Sequence, residues 1–590
     1  MTAATPGPAA CHTRGMGCAI HLLGVPRLFK ADGSAIELRG QKAWGLLTYL
    51  VAQRGPVSRQ QLARLLFEDA DDPLGALRWN LTELRRALGS ENLRGDTLLL
   101  DRSGIEFIDV EVLRHGRSSD AVLLPGLDRE LLEGLDFANS ASFEAWLNAE
   151  RRRTRTTTQA VLNEAALGRL AAGAAREAVD LAARLLVLDP LNENAQVLLV
   201  RCLAAAGDGV GAARQAAACR DLFQRELGVA PGPALADALH TVTATAVMRP
   251  AGGRAGALAQ LEAGEAAIGA GVLEAGLQCL RRAIVDSDAT GDPVLRARAR
   301  IALGSALVHA ARGRDSEGAA ALHEALAIGA IEAPGLVAAA CRELGYVEFL
   351  LGHYDRALTW VERAKSPALG HLAEQGRIAT LEGSILSDMA CYGESLQSLR
   401  QARLWCLEAG DTKQAVYADS MIGRTLVLTN QLDEAERVLE ACVDQARRTW
   451  TAFLPWPESF RAEVDLLRGR VDRAAERFEQ AFALGCQLSD PCWEGIAGRG
   501  LGLVAAARGH APQATEIFID TLQRCARLPD AYVWGRAYVM ESLCRLAVEQ
   551  RDPRAQTWVG QLLAVSASAG MTRLVELGHE HLNQLHRTQA

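Results

Sequence analysis

Apolar and polar positions change rhythm twice along the chain, and each rhythm predicts a different kind of structure. From Ile20 to about residue 115 the runs are short and mixed. IHLLGVPRLFKADGSAIELRG (20–40) reads as two strands joined by a turn at Asp32-Gly33. QKAWGLLTYLVAQRG (41–55) reads as an amphipathic helix closed at Gly55, and VSRQQLARLLF (57–67) as a shorter helix with Ser58 at its N-cap. In LGALRWNLTELRRALG (74–89), Leu74, Leu77, Leu81, Leu84 and Leu88 recur at spacings of three and four, the apolar stripe of a third helix that Gly89 ends. The opposite face then carries Trp79, Thr82, Glu83 and Arg86, with Arg78 and Arg85 on its flank. TLLLDRSGIEFIDV (97–110) reads as a hairpin with Ser103-Gly104 at its tip and Arg102 beside it.

Residues 121–240 carry only helical periodicity. A Pro/Gly-marked segment around MRPAGGRAG reads as a linker over 241–258, open to proteases, so that a fragment ending near residue 245 is expected to fold alone. From 259 to 590 the third rhythm repeats. Gly264, Gly304, Gly345, Gly383, Gly423, Ala462, Gly502 and Leu543 align at steps of about 40 residues, close to a helix-pair repeat of the tetratricopeptide kind. Offsets within a unit agree as well: Gly345, Gly352, Ala357, Val361 and Ala364 correspond to Ala462, Gly469, Ala474, Phe478 and Ala481. Small residues are needed where paired helices cross closely, and the larger one fills the space between successive pairs. The predicted fold class is therefore mainly α. A winged helix-turn-helix (20–115, α+β) is followed by a helical domain (121–240) and a tetratricopeptide-like α-solenoid, with a disordered tail at 1–19.

Composition narrows the functions. A chain of 590 residues exceeds one core, and a net charge of −8 argues against a generally basic nucleic-acid coat. Thirteen cysteines without a C-x-x-C pair read as reduced thiols of a cytoplasmic protein. The first residues lack the apolar core of a secretion signal, and the longest apolar run, WGLLTYLVA, is too short to span a bilayer, so no membrane partner is expected. Gly-Lys never occurs, which excludes the phosphate-binding loop G-x-x-x-x-G-K-[ST]. Cys11, His12 and Cys18 lack a fourth metal ligand, and His579, His581 and His586 read as surface histidines. No cofactor, metal or enzymatic activity is expected.

Four segments carry a resemblance: LLPG (123–126), FEAWLNAERRRTR (143–155), LLVLDPLNENA (185–195) and, most specifically, RELGVAPGPAL (225–235). Together with the preceding strand, helix and hairpin order, residues 20–240 resemble the Streptomyces antibiotic regulatory protein (SARP) family, with its winged helix and bacterial transcriptional activation domain. The resemblance implies a transcriptional activator that binds promoter DNA and contacts RNA polymerase. It places Trp79, Thr82 and Glu83 at base edges and Arg85 on phosphate, with Arg78 and Arg86 on the same surface. Arg102 would reach the minor groove or backbone. A tryptophan edge suits a thymine methyl, and a glutamate can accept from cytosine N4. Basic residues are common at positions 82 and 83 in the family, and here they are absent.

Residues 20–114 hold thirteen Lys/Arg and thirteen Asp/Glu, so this region is formally neutral. Phosphate neutralisation supplies much of DNA affinity, and a homodimer on direct repeats would add a second footprint. The competing reading is a repeat scaffold whose winged helix makes protein contacts. In the array, positions three and six before the aligned small residue, and one and four after it, should face inward. They give Arg298, Arg342, Tyr346, Arg377, Tyr417, Arg424, Trp456 and Arg499 as candidates to bind a small anionic ligand or protein partner. Ordinary packing and ion pairing between repeats would use the same residues.

Overall fold

The computed structural model describes residues 17–589 apart from 54, 90–92, 95–96, 245–251, 312, 330–332 and 528–531. Most of the tail at 1–19 thus lies outside the described residues, although Cys18 and Ala19 already belong to a strand. The fold is mainly α. It divides into two compact units at Arg155 and Thr156, within one helix.

In the first unit, β1 (Cys18–His21), β2 (Arg27–Lys30) and β3 (Ala35–Ile36) form an antiparallel meander. The turn between β2 and β3 is at Asp32-Gly33, where Gly33 has φ +79° and its N–H bonds Lys30 O at 2.9 Å. Three helices follow: α1 (Gln41–Ala52), α2 (Arg59–Leu66) and α3 (Pro73–Leu88). Between α1 and α2 runs the short β4 (Val57–Ser58), and Ser58 caps α2 by accepting from Gln61 N. After α3 come β5 (Leu93–Arg94), β6 (Thr97–Leu100) and β7 (Ile105–Ile108).

The hairpin expected over 97–110 does not form. β6 pairs with β4 and β5, while β7 pairs with β1 in parallel at the edge of the four-stranded sheet. Both runs alternate as strands should, but alternation does not choose a partner. The helix α4 (Asp109–His115) follows β7 and delivers the buried Asp109 carboxylate to the N–H groups of Leu22 and Leu23 at 2.8–3.0 Å. Burial pushes that carboxyl up, against these three-way hydrogen bonds.

A short α5 (Ser118–Ala121) leads to α6 (Ala141–Ala171), α7 (Ala175–Leu188), α8 (Glu193–Ala205), α9 (Gly209–Leu227) and α10 (Pro233–Ala244). Of the segment 241–258, residues 241–244 and 253–258 are helical and 245–251 lie outside the described residues. Eight helix pairs follow among the described residues: α11 (Gly253–Gly269) with α12 (Leu273–Thr290), α13 (Pro293–His309) with α14 (Asp315–Ile328), α15 (Pro334–Leu350) with α16 (Tyr354–Lys365), and α17 (Leu372–Asp388) with α18 (Tyr392–Glu408). The series continues with α19 (Thr412–Leu428) and α20 (Leu432–Thr449), α21 (Pro455–Leu467) and α22 (Val471–Leu488), α23 (Pro491–Ala507) and α24 (Ala511–Cys525), then α25 (Val533–Glu549) and α26 (Ala555–Ala569). A last helix, α27 (Thr572–Gln589), covers the end. His581 on it is buried 3.4 Å from Glu541, not on the surface as expected.

All eight aligned positions fall on the first helix of a pair, and the packing explains why most of them are small. A Cβ on Gly264, Gly304, Gly383, Gly423 or Gly502 would lie 2.4–2.7 Å from Leu280, Leu322, Leu399, Leu439 or Phe518 of the partner helix. Each large residue occupies the volume its glycine leaves. Overpacking such a contact costs about 1–3 kcal/mol.

The second unit also joins α6 to the array. Glu164 on α6 accepts from Arg356 Nη2 of α16 at 2.7 Å, both side chains being almost wholly buried. Nearby, His323 of α14 lies against Trp360, edge to face, and Gly168 of α6 approaches its ring. Burial pushes His323 down to about 4; Glu164 raises it and Arg363 lowers it. The unfolded chain therefore binds this proton more readily. The neutral imidazole supports stability fully above its ordinary value of about 6.5 and loses that support as pH falls toward 4, on the order of 3 kcal/mol. Melting curves of the native chain should fall across that window, and those of His323→Phe should fall less. Equal slopes for the two proteins would contradict the assignment.

Candidate functional site

The third helix of the first unit is held from beneath. Leu77, Leu81, Leu84, Ala87 and Leu88 are buried, Asn80 bonds Ala76 O at 2.9 Å, and Asp72 caps the helix through Gly75 N at 2.8 Å. Leu74, expected in the apolar stripe, is exposed because it sits in the first turn. Arg78, Trp79, Thr82 and Arg86 emerge on one face, and Trp79 is 54 % exposed. Exposing so large a ring is unfavourable unless something covers it.

The charges on this face are largely spoken for. Arg86 bonds Glu83 at 2.8 Å and the carbonyl of Glu37 at 3.0 Å. Arg78 bonds Leu74 O at 3.2 Å and lies 3.5 Å from Asp72. Arg85 has no ion pair among the described residues. Arg102 is not at a hairpin tip: it lies between β6 and β7 and donates to Val51 O at 2.9 Å, with Glu111 3.0 Å away. Residues 95 and 96, between β5 and β6 in the chain, lie outside the described residues.

The second unit contains a cavity of about 890 Å³. Arg342, Tyr346, Arg377, Tyr417 and Trp456 line it, as expected from their inward offsets. Three candidates do not. Arg298 is half-exposed beside Glu265. Arg499 is buried over the Tyr538 ring and bonded to Glu463 at 3.0 Å. Arg424 is fully buried, and its Nη2 donates to Asp388 at 2.7 Å. An inward offset places a side chain on the right face, but the depth at which it stops depends on neighbours the pattern does not contain.

A connected series of rings forms part of the wall. Tyr346 packs on His309 at 4.6 Å and on Phe349 at 5.8 Å; Phe349 meets Tyr532 at 5.3 Å, and Tyr532 meets Trp456 at 6.2 Å. Trp493 lies 5.6 Å from Trp456 and 5.7 Å from Phe453, which in turn meets Tyr417 and stacks on Trp450 at 4.5 Å. The indole N–H of Trp456 is buried without a hydrogen-bond partner.

The carboxylates in the wall are engaged. Glu343 accepts from Arg342 at 2.8 Å and from Ser305, with His309 2.7 Å away. Burial alone would raise its carboxyl, but Arg342 and His309 hold it well below the usual range. Arg377 bonds Asp411 at 2.8 Å, and Asp490 caps α23 through Cys492 N. Lys413 and Arg536 line the cavity, are exposed, and have no ion pair among the described residues.

Lys413, Arg536, Trp493 and Tyr532 were not among the expected residues. The signal existed: Lys413 lies ten positions before Gly423 and Arg536 seven before Leu543, on the same inward stripe extended one helical turn back. Tyr532 had none. It precedes α25, and its hydroxyl donates to Asp388 of α17 at 2.8 Å while accepting from Arg424 at 2.9 Å; Tyr354 donates to the same carboxylate at 3.1 Å.

Residues 114–242 match the family described as bacterial transcriptional activator domain. No curated protein matches the chain. Among solved structures, a Rap protein complexed with competence and sporulation factor is similar over 56 % of this chain and 93 % of its own, with 14 % identity and a TM-score of 0.43. Mycobacterium tuberculosis EmbR in complex with a low-affinity phosphopeptide is similar over 38 % of this chain and 65 % of its own (17 % identity, TM-score 0.30). A Podospora anserina putative kinesin light chain with TPR-like repeats is similar over 34 % of this chain and 97 % of its own (17 % identity, TM-score 0.26).

Proposed function

From a chain that carries a bacterial transcriptional activator domain at residues 114–242, we infer a DNA-binding transcriptional activator in the manner of SARP-type regulators. The helix α3 enters the major groove of promoter DNA, the hairpin β5–β6 serves as the wing, the activator domain contacts RNA polymerase, and the helix-pair array senses a ligand or partner. The work is that of a cytoplasmic regulator and needs no catalysis. One observation carries the reading: a helix supported by a buried leucine stripe presents Arg78, Trp79, Thr82 and Arg86 together, with Trp79 exposed. An exposed indole beside donors suits a groove wall of bases and phosphates.

The alternative, a scaffold whose three-helix domain binds protein, draws on the formal neutrality of residues 20–114 and on the pairing of Arg86 with Glu83. Gel shifts on the DNA upstream of the protein's own coding sequence, across salt concentrations, separate the two. Specific binding that falls steeply with salt supports the activator, and no binding at low salt supports the scaffold.

The same assay tests the face residue by residue. Arg85→Ala should weaken specific and unrelated DNA alike and reduce the salt slope by about one. Trp79→Ala should change base preference by about 1–3 kcal/mol at one position. Glu83→Ala removes a base-edge acceptor and releases Arg86, so it should change preference and raise non-specific affinity together. Unchanged binding in all three variants would take α3 out of the groove.

A further inference from the structure

The cavity is built for one class of ligand. Its volume, about 890 Å³, suits a drug-sized molecule rather than a protein surface. A connected series of aromatic rings lines part of its wall, and those around Trp456 stand 5–6 Å apart in tilted and edge-on pairs that an inserted ring system can extend. Glu343, Asp411 and Asp490 are tied to partners within the protein, so among the described lining residues no carboxylate is left over for a cationic ligand. The arginine forks of Arg342 and Arg377 are spent on the same carboxylates. Lys413 and Arg536, at the solvent-exposed edge of the cavity, are the cations left without ion pairs among its described lining residues.

An extended peptide fits this wall poorly. Each peptide residue brings an N–H and a C=O that must be paired once water is excluded. Gln414 is the one carboxamide among the described lining residues, and the Ser305 hydroxyl is committed to Glu343.

We propose that the cavity binds a planar aromatic anion, its rings among Phe453, Trp456 and Trp493 and its acidic group held by Lys413 and Arg536. This rests on reading the array as a sensor, but its test needs no DNA. The full-length protein is titrated with pyrene-1-carboxylate and with the neutral pyrene-1-methanol, followed by calorimetry and tryptophan fluorescence. The acid should bind at least about tenfold more tightly than the alcohol. Lys413→Met combined with Arg536→Met should bring the two probes within about twofold while leaving the alcohol unchanged. Both substitutions are on exposed side chains, and the melting temperature checks that the fold persists. Trp493→Leu should weaken both probes by about three- to tenfold.

Equal affinity of acid and alcohol, a preference that survives the double substitution, or binding of a random pentapeptide mixture without binding of the acid would each overturn the proposal. Acid binding alongside failed gel shifts removes the promoter-binding reading and keeps the cavity's ligand class. Gel shifts without acid binding do the reverse.

Discussion

Arg424→Met should lower the stability of the array by about 3–5 kcal/mol, the largest effect expected of any single substitution here. Arg424 shows no exposed side-chain surface and neither does its partner Asp388. Removing the guanidinium strands a carboxylate that burial already pushes up, leaving Tyr354 and Tyr532 as its donors. The Trp534 ring, 4.3 Å beneath the guanidinium, loses its cation as well. Because the stranded Asp388 can be neutralised by protonation, the loss should shrink between pH 7 and pH 5. Asp388→Asn combined with Arg424→Met should recover part of it, since no lone charge is then left buried. Thermal melting of the three proteins at both pH values reads this directly; a loss under 1 kcal/mol, or no recovery in the double variant, would contradict it.

The second large effect concerns truncation. A fragment ending near residue 245 is expected from sequence to fold by itself, since its boundary precedes a Pro/Gly-marked segment. The contacts of α6 argue otherwise. Glu164 is only 3 % exposed and is neutralised by Arg356, nearly two hundred residues away in the array. Arg363, stacked 3.8 Å over Trp360, adds a second cation at 3.7 Å from Glu164. Cutting the chain removes both cations and uncovers the face of α6 around Gly168. The fragment should aggregate or melt about 6–12 °C below the intact chain, the shift expected for losing roughly 3 kcal/mol in a domain of its size. Arg356→Leu in the full chain should produce a loss of similar size. A soluble fragment with an unshifted melting temperature would restore the sequence-based expectation.

These two cases show where sequence pattern stops being informative. The helix pairs were legible because glycine and leucine face each other within one unit, some 16–18 residues apart: Gly264 with Leu280, Gly423 with Leu439. Local pairing leaves a local spacing. The inner face was legible for the same reason, and the positions six before the aligned residue place Arg377, Tyr417 and Trp456 in the cavity wall. What pattern could not supply was the choice of distant partner. Two alternating runs on either side of Arg102 looked like one hairpin, yet β7 belongs beside β1, nearly ninety residues back. Nothing in the local pattern singles out Glu164 or Arg356, and Arg424 reads as a ligand-gripping fork. In each case burial is set by a segment that no short window includes.

The Tyr532–Asp388 bond has a consequence for how the array is made. Tandem repeats ordinarily settle one after another, each finished by its immediate neighbour. Here a residue near the start of the eighth pair completes a polar cluster begun in the fourth, 144 positions earlier. During synthesis at about 5–20 residues per second, Asp388 and Arg424 wait on the order of ten seconds before their last partner leaves the ribosome. Until then the middle pairs hold a buried charge cluster with Tyr354 but without its second tyrosine, and the aromatic wall is open on that side. The binding proposed for the cavity should therefore arise abruptly and late, with the emergence of the eighth pair, and nascent chains halted before residue 532 should lack it.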